Sequence, residues 1–592
     1  MRTPLLICAF LCTFASFAQS EQVAKSYFDK GDFEKAIITY QKLYEKNKGN
    51  SNYFFKLIEI HQQLEQYAEA ELLLLEKVKL SKTPHYYVEL GYNYQLKGNE
   101  EKANENYQLA KEGIENKPIY GYYVAQRFEK HALIDHAAEA YEKAMELRPE
   151  SNYNMQLARI YGEQGKVDKM FRKYIDFIEI NNTYVNFAKR SFSGYITENG
   201  EDENNKLLRQ VLLKKIQENP NVLWNQLLSW LFIQQRDYKK AFAQEKAIFK
   251  REQETLQGIV DLAIITMEED NVEVANEIFN YIIENALAIE ILLEAHRNIL
   301  ELEIKHALKK DYGSIDKKYK ALFTQYGRQS ETTDLQLSYG HFVAFYLNNP
   351  LAASNFLKEA LNQSLSKFQE AKIKLKLGDI LVFEEKFNEA LIYYSQIQKR
   401  LKNSIVSQEA RFKVAKASYY KGDFKWAESQ LKILKSSTSQ LIANDALDLK
   451  LLISDNKFED SSQTALKIYA KADLYSYQNK TDEAIALLDQ IFENHKTETI
   501  VDQALFKQAK LFESKKEYQK AEANYQRIIT DFKEDILADD AYFALAELYV
   551  NYLAQPEKAK TLYEKIIFNH ADSIYFVEAR KKYRALRGDA IN

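Results

Sequence analysis

The chain has 592 residues, 46% hydrophobic and 28% charged, and 81 basic residues nearly balance 85 acidic ones for a formal net charge of −4. That apolar content excludes a disordered chain, and the charge balance argues against a nucleic-acid or anionic-membrane footprint. Only 17 glycines and 7 prolines punctuate this length, so one continuous helical array fits better than a string of ordinary compact domains.

Residues 1–18 differ from the rest: Arg2, an apolar run over residues 5–17, and Ser16-Phe17-Ala18 at its end. A short basic start, an apolar centre and small residues at minus three and minus one predict a secretory signal peptide cleaved after Ala18. The run is shorter than the roughly 20 residues of a spanning helix. Both cysteines, Cys8 and Cys12, lie inside it behind Ile7 and Leu11, which is not the setting of a lipidated cysteine. The expected mature protein is therefore periplasmic, unlipidated and free of thiols.

From residue 20 onward one pattern recurs. A first helix with small residues on one face is followed by a short turn, often with glycine. A second helix then reads aromatic-x-x-Ala-x-x-x-aromatic. Phe33, Ala36 and Tyr40 form one such seam, and Phe387, Ala390, Tyr394 and Tyr518, Ala521, Tyr525 form others. The spacing puts all three side chains on one stripe of a helix, with the alanine at closest contact.

In chain order, clear copies carry Gly31 with the first seam, then Leu90, Gly91, Tyr94, Gly98, Ala103 and Tyr107, then Ala158, Tyr161, Gly165 and Tyr174. Tyr67 with Ala70, Tyr238 with Ala241, and Val272 with Ala275 and Phe279 are weaker versions. The polar run from Glu198 to Asn205 is expected to enlarge the turn inside one hairpin as a solvated loop. Over residues 289–327 and 441–478 the helices read as longer and the signature as weak, which predicts bends and a soft division near residue 330. Clear copies return with Leu377 and Gly378, then Gly422, Phe424 and Ala427, then Ala509. In these copies the turn glycine supplies a backbone conformation that side chains resist, and the alanine lets two helices approach.

The residue types and the spacing of roughly 34 residues resemble tetratricopeptide repeats. The resemblance implies an all-α fold, an α-solenoid or superhelix of roughly 13 to 14 helical hairpins. It places an N-terminal array over residues 19–180, degenerate repeats over 181–330, a C-terminal array over 331–575, and a capping helix with tail over 576–592. The last repeats, with Tyr518, Ala521 and Tyr525, are similar in style to those of bacterial periplasmic and outer-membrane assembly proteins, including the cell-division coordination family.

Aligned on the turn glycine, the family's inward positions fall on His85, Val88, Tyr92 and Gln95, then Ile119, Tyr122, Gln126 and Glu129, then Asn152, Met155 and Arg159. Further on they fall on Phe412, Lys416 and Tyr419. Such a mixed aromatic and polar lining suits an extended peptide or a partner helix in a groove. The subtype that clamps a terminal carboxylate carries Lys and Asn where this chain has Val88, Tyr92, Tyr122 and Gln126, so that clamp is not expected.

No phosphate-cradling glycine loop, His-Glu-x-x-His motif or nucleophile elbow is present. His131 and His136 are five apart and diverge around a helix, so a shared metal is not expected. No cofactor is expected either. The acid pairs Glu268-Glu269 and Glu384-Glu385 read as solvated turn residues, and Arg587-Gly588-Asp589 as an incidental tail.

These features predict a non-enzymatic periplasmic scaffold for envelope or secretion proteins, associated with the outer membrane only through a partner. The competing readings are a peptidoglycan or glycan binder, from the tyrosine-rich lining, and an enzyme hidden in the irregular middle around Trp224 and Trp230.

Overall fold

A computed structural model describes residues 21–252, 255–434, 439–457 and 463–589 of the chain. The expected leader, with Cys8 and Cys12, lies outside the described residues. Among those residues the fold is all-α with no strand, a helical-repeat solenoid of antiparallel hairpins.

The seam sets where the second helices begin. Phe33–Lys46, Tyr67–Ser81, Phe387–Arg400, Phe424–Leu434 and Tyr518–Asp531 each start on the seam aromatic. One turn later Ala36, Ala70, Ala390, Ala427 and Ala521 have no exposed surface, and neither does Ala103 in Glu100–Asn116. A larger side chain at any of them would have to displace the first helix, an overpacking cost of about 1–3 kcal/mol.

The residue two positions before each of these second helices is left-handed. Gly31 and Gly98 take φ of +78° and +74°, and Gly165 and Gly422 occupy the same place in their turns. Glu65, Glu385 and Lys516 adopt it too, at +57°, +63° and +61°. A side chain there costs about 1 kcal/mol, which hairpin packing outweighs. Copies without the glycine, weak and clear alike, therefore share the turn geometry without sharing the turn residue.

Within a hairpin the seam tyrosines also satisfy their hydroxyls. Tyr107 donates to Gln95 Oε1 and Tyr141 to Glu129 Oε1, both at 2.7 Å, and Tyr525 donates to Glu513. Each acceptor lies 12 residues upstream, on the first helix of the same hairpin. The ring fills the seam and the phenol pins the two helices in register.

The chain forms two compact units, the first ending at Asp237 and the second beginning at Tyr238. The boundary is thus not near residue 330, where a soft division was expected. Around that position one core runs on without a break, from Leu293 and Leu300 through Tyr319 and Phe342 to Leu377 and Ile380. Helices Ile289–His306 and Thr333–Phe345 pack directly, and Ser338 donates to Glu301 at 3.1 Å.

In the first unit the polar run departs from a simple solvated loop. Residues 194–202 do connect helices Val185–Ser193 and Glu203–Glu218, but Asn205 is fully buried. Its amide donates to the carbonyls of Thr197 and Asn199 at 2.8 and 2.7 Å, and Asp202 caps the helix through the amide of Asn204 at 2.9 Å. An asparagine supplying both donor and acceptor organises the loop that its neighbours leave in solvent.

In the second unit an extra helix, Gln440–Asp455, sits between the hairpin Ile405–Lys421 with Phe424–Leu434 and the next one, Thr464–Tyr477 with Thr481–Asn494. Both Gln440–Asp455 and Thr464–Tyr477 pack on Ile405–Lys421. An unpaired helix explains the weak signature over residues 441–478. At the far end Phe576–Arg587 lies on Pro556–Asn569, burying Ala579 but leaving Val577 77% exposed. That helix presents a face that is not wholly polar.

Candidate partner-binding face

In the first unit, helices His85–Leu96, Gly121–Lys130 and Asn154–Glu163 are the first members of successive hairpins. Their expected groove residues mostly engage one another. His85 is half-buried among Phe55, Tyr86, Tyr120 and Tyr123. Burial, helped by the Arg127 guanidinium, holds its imidazole neutral with a pKa of about 4. Tyr92 stacks on His131 at 3.8 Å, and Tyr122 stacks on Tyr153 at 5.6 Å.

Gln126 Nε2 donates to the Tyr122 hydroxyl at 2.7 Å, and Arg159 pairs with Glu129. Gln126 and Arg159 are exposed, Met155, Asn152 and Gln95 are half-buried, and Ile119 is 60% exposed beside Tyr123 at 52%. Val88 has no exposed surface and belongs to the core. Tyr123, absent from the inward set, offers more aromatic surface than any tyrosine in it.

The most strongly built polar group here was also missed. Glu89 is 2% exposed and takes His131 Nε2 at 3.0 Å and Arg127 at 3.4 Å. Burial would raise its carboxyl; His131, Arg127 and Lys130 outweigh that and lower it. Arg127 also lies over the Phe55 ring at 3.4 Å. The sequence signal was available: Arg127 and His131 are four apart and so share a helix face, unlike His131 and His136. His136 instead sits between Tyr107 and Phe128, at 5.2 Å from each.

In the second unit, Lys416 Nζ pairs with Asp473 at 2.8 Å and lies 5.1 Å from the rings of both Tyr419 and Tyr420. Phe412 is partly buried against the core. Tyr419 is a correction: it has no exposed surface and belongs to a core with Phe424, Leu466 and Tyr469. Its hydroxyl makes no hydrogen bond among the described residues.

Charge along this unit is paired from repeat to repeat. Lys413 reaches Asp379 at 2.9 Å, Lys507 reaches Asp473 at 2.6 Å and Lys582 reaches Glu547 at 2.9 Å, each across one repeat spacing. Burial opposes the ionised Asp473, but Lys416 and Lys507 hold its carboxyl at about 2. A cleft of about 430 Å3 opens between Arg297, Ser338, His341, Tyr346 and Lys376, and one of about 360 Å3 between Lys376, Asp379, Lys413 and Tyr477.

Among the described residues no group of three or more His, Cys, Asp or Glu side chains could hold a metal, and no helix is long and apolar enough to cross a membrane. Acids and bases on these faces neutralise one another, so what the arrangement offers is shape, aromatic edges and paired charge, the features of a contact surface.

A family model for the tetratricopeptide repeat matches residues 469–536, and a second one matches residues 540–573. No curated protein matches the sequence. Among solved structures, a Naa15/Naa10 complex bound to HypK-THB aligns over 97% of this chain and 94% of its own, at 10% identity and a TM-score of 0.30. The APC/C hetero-tetramer Cut9-Hcn1 aligns over 95% of each chain, at 13% identity and a TM-score of 0.24. Similarity at that level says nothing of the partners of this chain. Residues 469–536 and 540–573 are tetratricopeptide repeats.

Proposed function

We propose that the protein is a non-enzymatic scaffold that binds partner proteins on the face formed by the first helices of its hairpins. The observation that carries this reading is the state of the polar side chains on that face. Glu89 with Arg127 and His131, Asp379 with Lys413, and Asp473 with Lys416 and Lys507 are all committed to each other. Paired groups of this kind fix the surface and set its charge pattern; they do not present a free base or nucleophile. Exposed Tyr123, Gln126 and Arg159 supply the aromatic and hydrogen-bonding contacts that a peptide or helix would use.

The leader of residues 1–18 supports a periplasmic setting, and with it a partner in envelope assembly or secretion. Affinity capture after cross-linking intact cells tests both parts. Recovery of a defined set of envelope proteins is expected. Repeated recovery of none, or of cytoplasmic proteins alone, contradicts the reading.

A further inference from the structure

Helices Gln440–Asp455 and Phe576–Arg587 of the second unit each lack a hairpin partner among the described residues. A helix without a second helix against it leaves apolar side chains in water, and both of these do. Gln440–Asp455 buries Ala446, Leu449 and Ile453 but leaves Leu441 72% and Leu447 48% exposed. Phe576–Arg587 buries only Ala579 and leaves Val577 in solvent, with Ile574 85% exposed in the turn before it.

The two helices carry opposite charge. The first holds three aspartates and one lysine, the second five basic residues and one glutamate. Leu441, Asp445 and Asp448 are spaced by four and three residues and so share one stripe, and the same spacing sets Arg580 and Lys581 beside Val577. Asp445, Asp448, Arg580 and Lys581 are all exposed, and none has an ion pair among the described residues. The other bases of the terminal helix are engaged: Lys582 with Glu547, and Arg584 and Arg587 with Asp589. Partial desolvation, with the Asp445 charge adding to it, raises the Asp448 carboxyl, as befits a carboxylate that no cation neutralises.

Either face set against its own copy brings like charges together. Acidic against basic instead pairs the loose charges and covers Leu441 and Leu447 with Val577 and Ile574. We propose that two copies of this chain associate, the Gln440–Asp455 face of one lying on the Phe576–Arg587 face of the other. Because each copy carries both faces, a two-fold arrangement makes the contact twice and closes a dimer. This goes beyond the scaffold reading and does not depend on it.

Sedimentation velocity of the purified protein from about 1 to about 200 μM tests the contact. The mean mass should rise above that of the monomer with concentration, and less so at high salt. The pair Asp445→Lys with Asp448→Lys, and the pair Arg580→Glu with Lys581→Glu, should each weaken association by at least about tenfold. The milder pairs Asp445→Asn with Asp448→Asn, and Arg580→Gln with Lys581→Gln, should weaken it about threefold with melting curves unchanged, which separates lost contact from lost fold. Asp482→Lys, at an aspartate 80% exposed on another helix, should change it by less than about twofold. An equal mixture of the two charge-reversed proteins should associate about as tightly as wild type, because the new lysines of one meet the new glutamates of the other while the unaltered faces also match. A wild-type protein that stays monomeric throughout, association that ignores both pairs of substitutions, or a mixture of folded charge-reversed proteins that stays monomeric overturns the proposal.

Discussion

The Tyr394 ring lies against the backbone of Gly378 so closely that a Cβ on the glycine would stand 2.3 Å from the nearest ring carbon. The same tyrosine donates its hydroxyl to Asp379 at 2.9 Å, one residue along the helix. Ring and phenol together fix the separation and the register of helices Lys367–Phe383 and Phe387–Arg400. Gly91 and Tyr107 repeat the contact in the first unit, where a Cβ would meet the ring at 2.5 Å.

Gly378→Ala should therefore destabilise the second unit by up to about 2 kcal/mol. The overpacking term of about 1–3 kcal/mol exceeds the roughly 1 kcal/mol that alanine gains over glycine inside a helix. Gly313 is the control: it lies in the helix Tyr312–Tyr326 with nothing within 4 Å of where its Cβ would be. Gly313→Ala should be neutral or stabilise by up to about 1 kcal/mol. Urea denaturation of the two variants reads both signs; equal effects would show that the ring contact does not matter.

Asp473 holds two lysines from neighbouring helices, with 14% of its side chain exposed. Asp473→Asn leaves two partly buried ammonium groups facing each other and should cost about 2–4 kcal/mol at pH 7. The triple replacement Lys416→Met, Asp473→Leu, Lys507→Met should recover most of that loss. Because the folded pKa of Asp473 is depressed to about 2, its stabilisation is present above the ordinary aspartate value of 3.8 and is lost as pH falls toward 2. Thermal melts of wild type and Asp473→Asn should accordingly converge in acid.

Asp502 works in the opposite sense. It is 4% exposed, and burial, with Asp535 adding to it, raises its carboxyl to about 6 although the Gln503 amide donates to it at 2.6 Å. A raised folded pKa means a penalty that is absent below 3.8 and grows as pH rises through about 6. Asp502→Asn keeps an acceptor for that amide and removes the charge. It should stabilise the protein by about 1–2 kcal/mol at pH 7 and by almost nothing near pH 4. Melting curves at the two pH values check this, and a pH-independent gain would contradict it.

Much of the fold was legible because the seam is local. Phe33, Phe387 and Tyr518 mark the first residue of their helices, and Ala36, Ala390 and Ala521 mark the contact one turn later. What escaped was set by non-local packing or by backbone geometry that residue type does not reveal. Glu65, Arg236 and Asp270 make the same left-handed turn as Gly31, so the weak copies with Tyr67, Tyr238 and Val272 looked less regular than they are. Tyr419 occupies a position that lines a groove in a uniform stack, yet here it lies in a core with Phe424, Leu466 and Tyr469 and has no exposed surface. Asn205 ends a run of polar residues, and only the fold of residues 197–199 around its amide makes it internal. Glu89 needed partners from a helix about 40 residues away, a pairing visible only as two basic residues sharing a face.

The claim on which the rest depends is that the first-helix face meets other proteins. A photo-crosslinking amino acid placed at Gln126, exposed on Gly121–Lys130, measures it most directly, with Asn104, exposed on the second helix Glu100–Asn116, as the reference position. Irradiation of intact cells should give discrete protein adducts from position 126 and few or none from position 104. Absence of protein adducts at 126, or the same adducts from both positions, would contradict the claim.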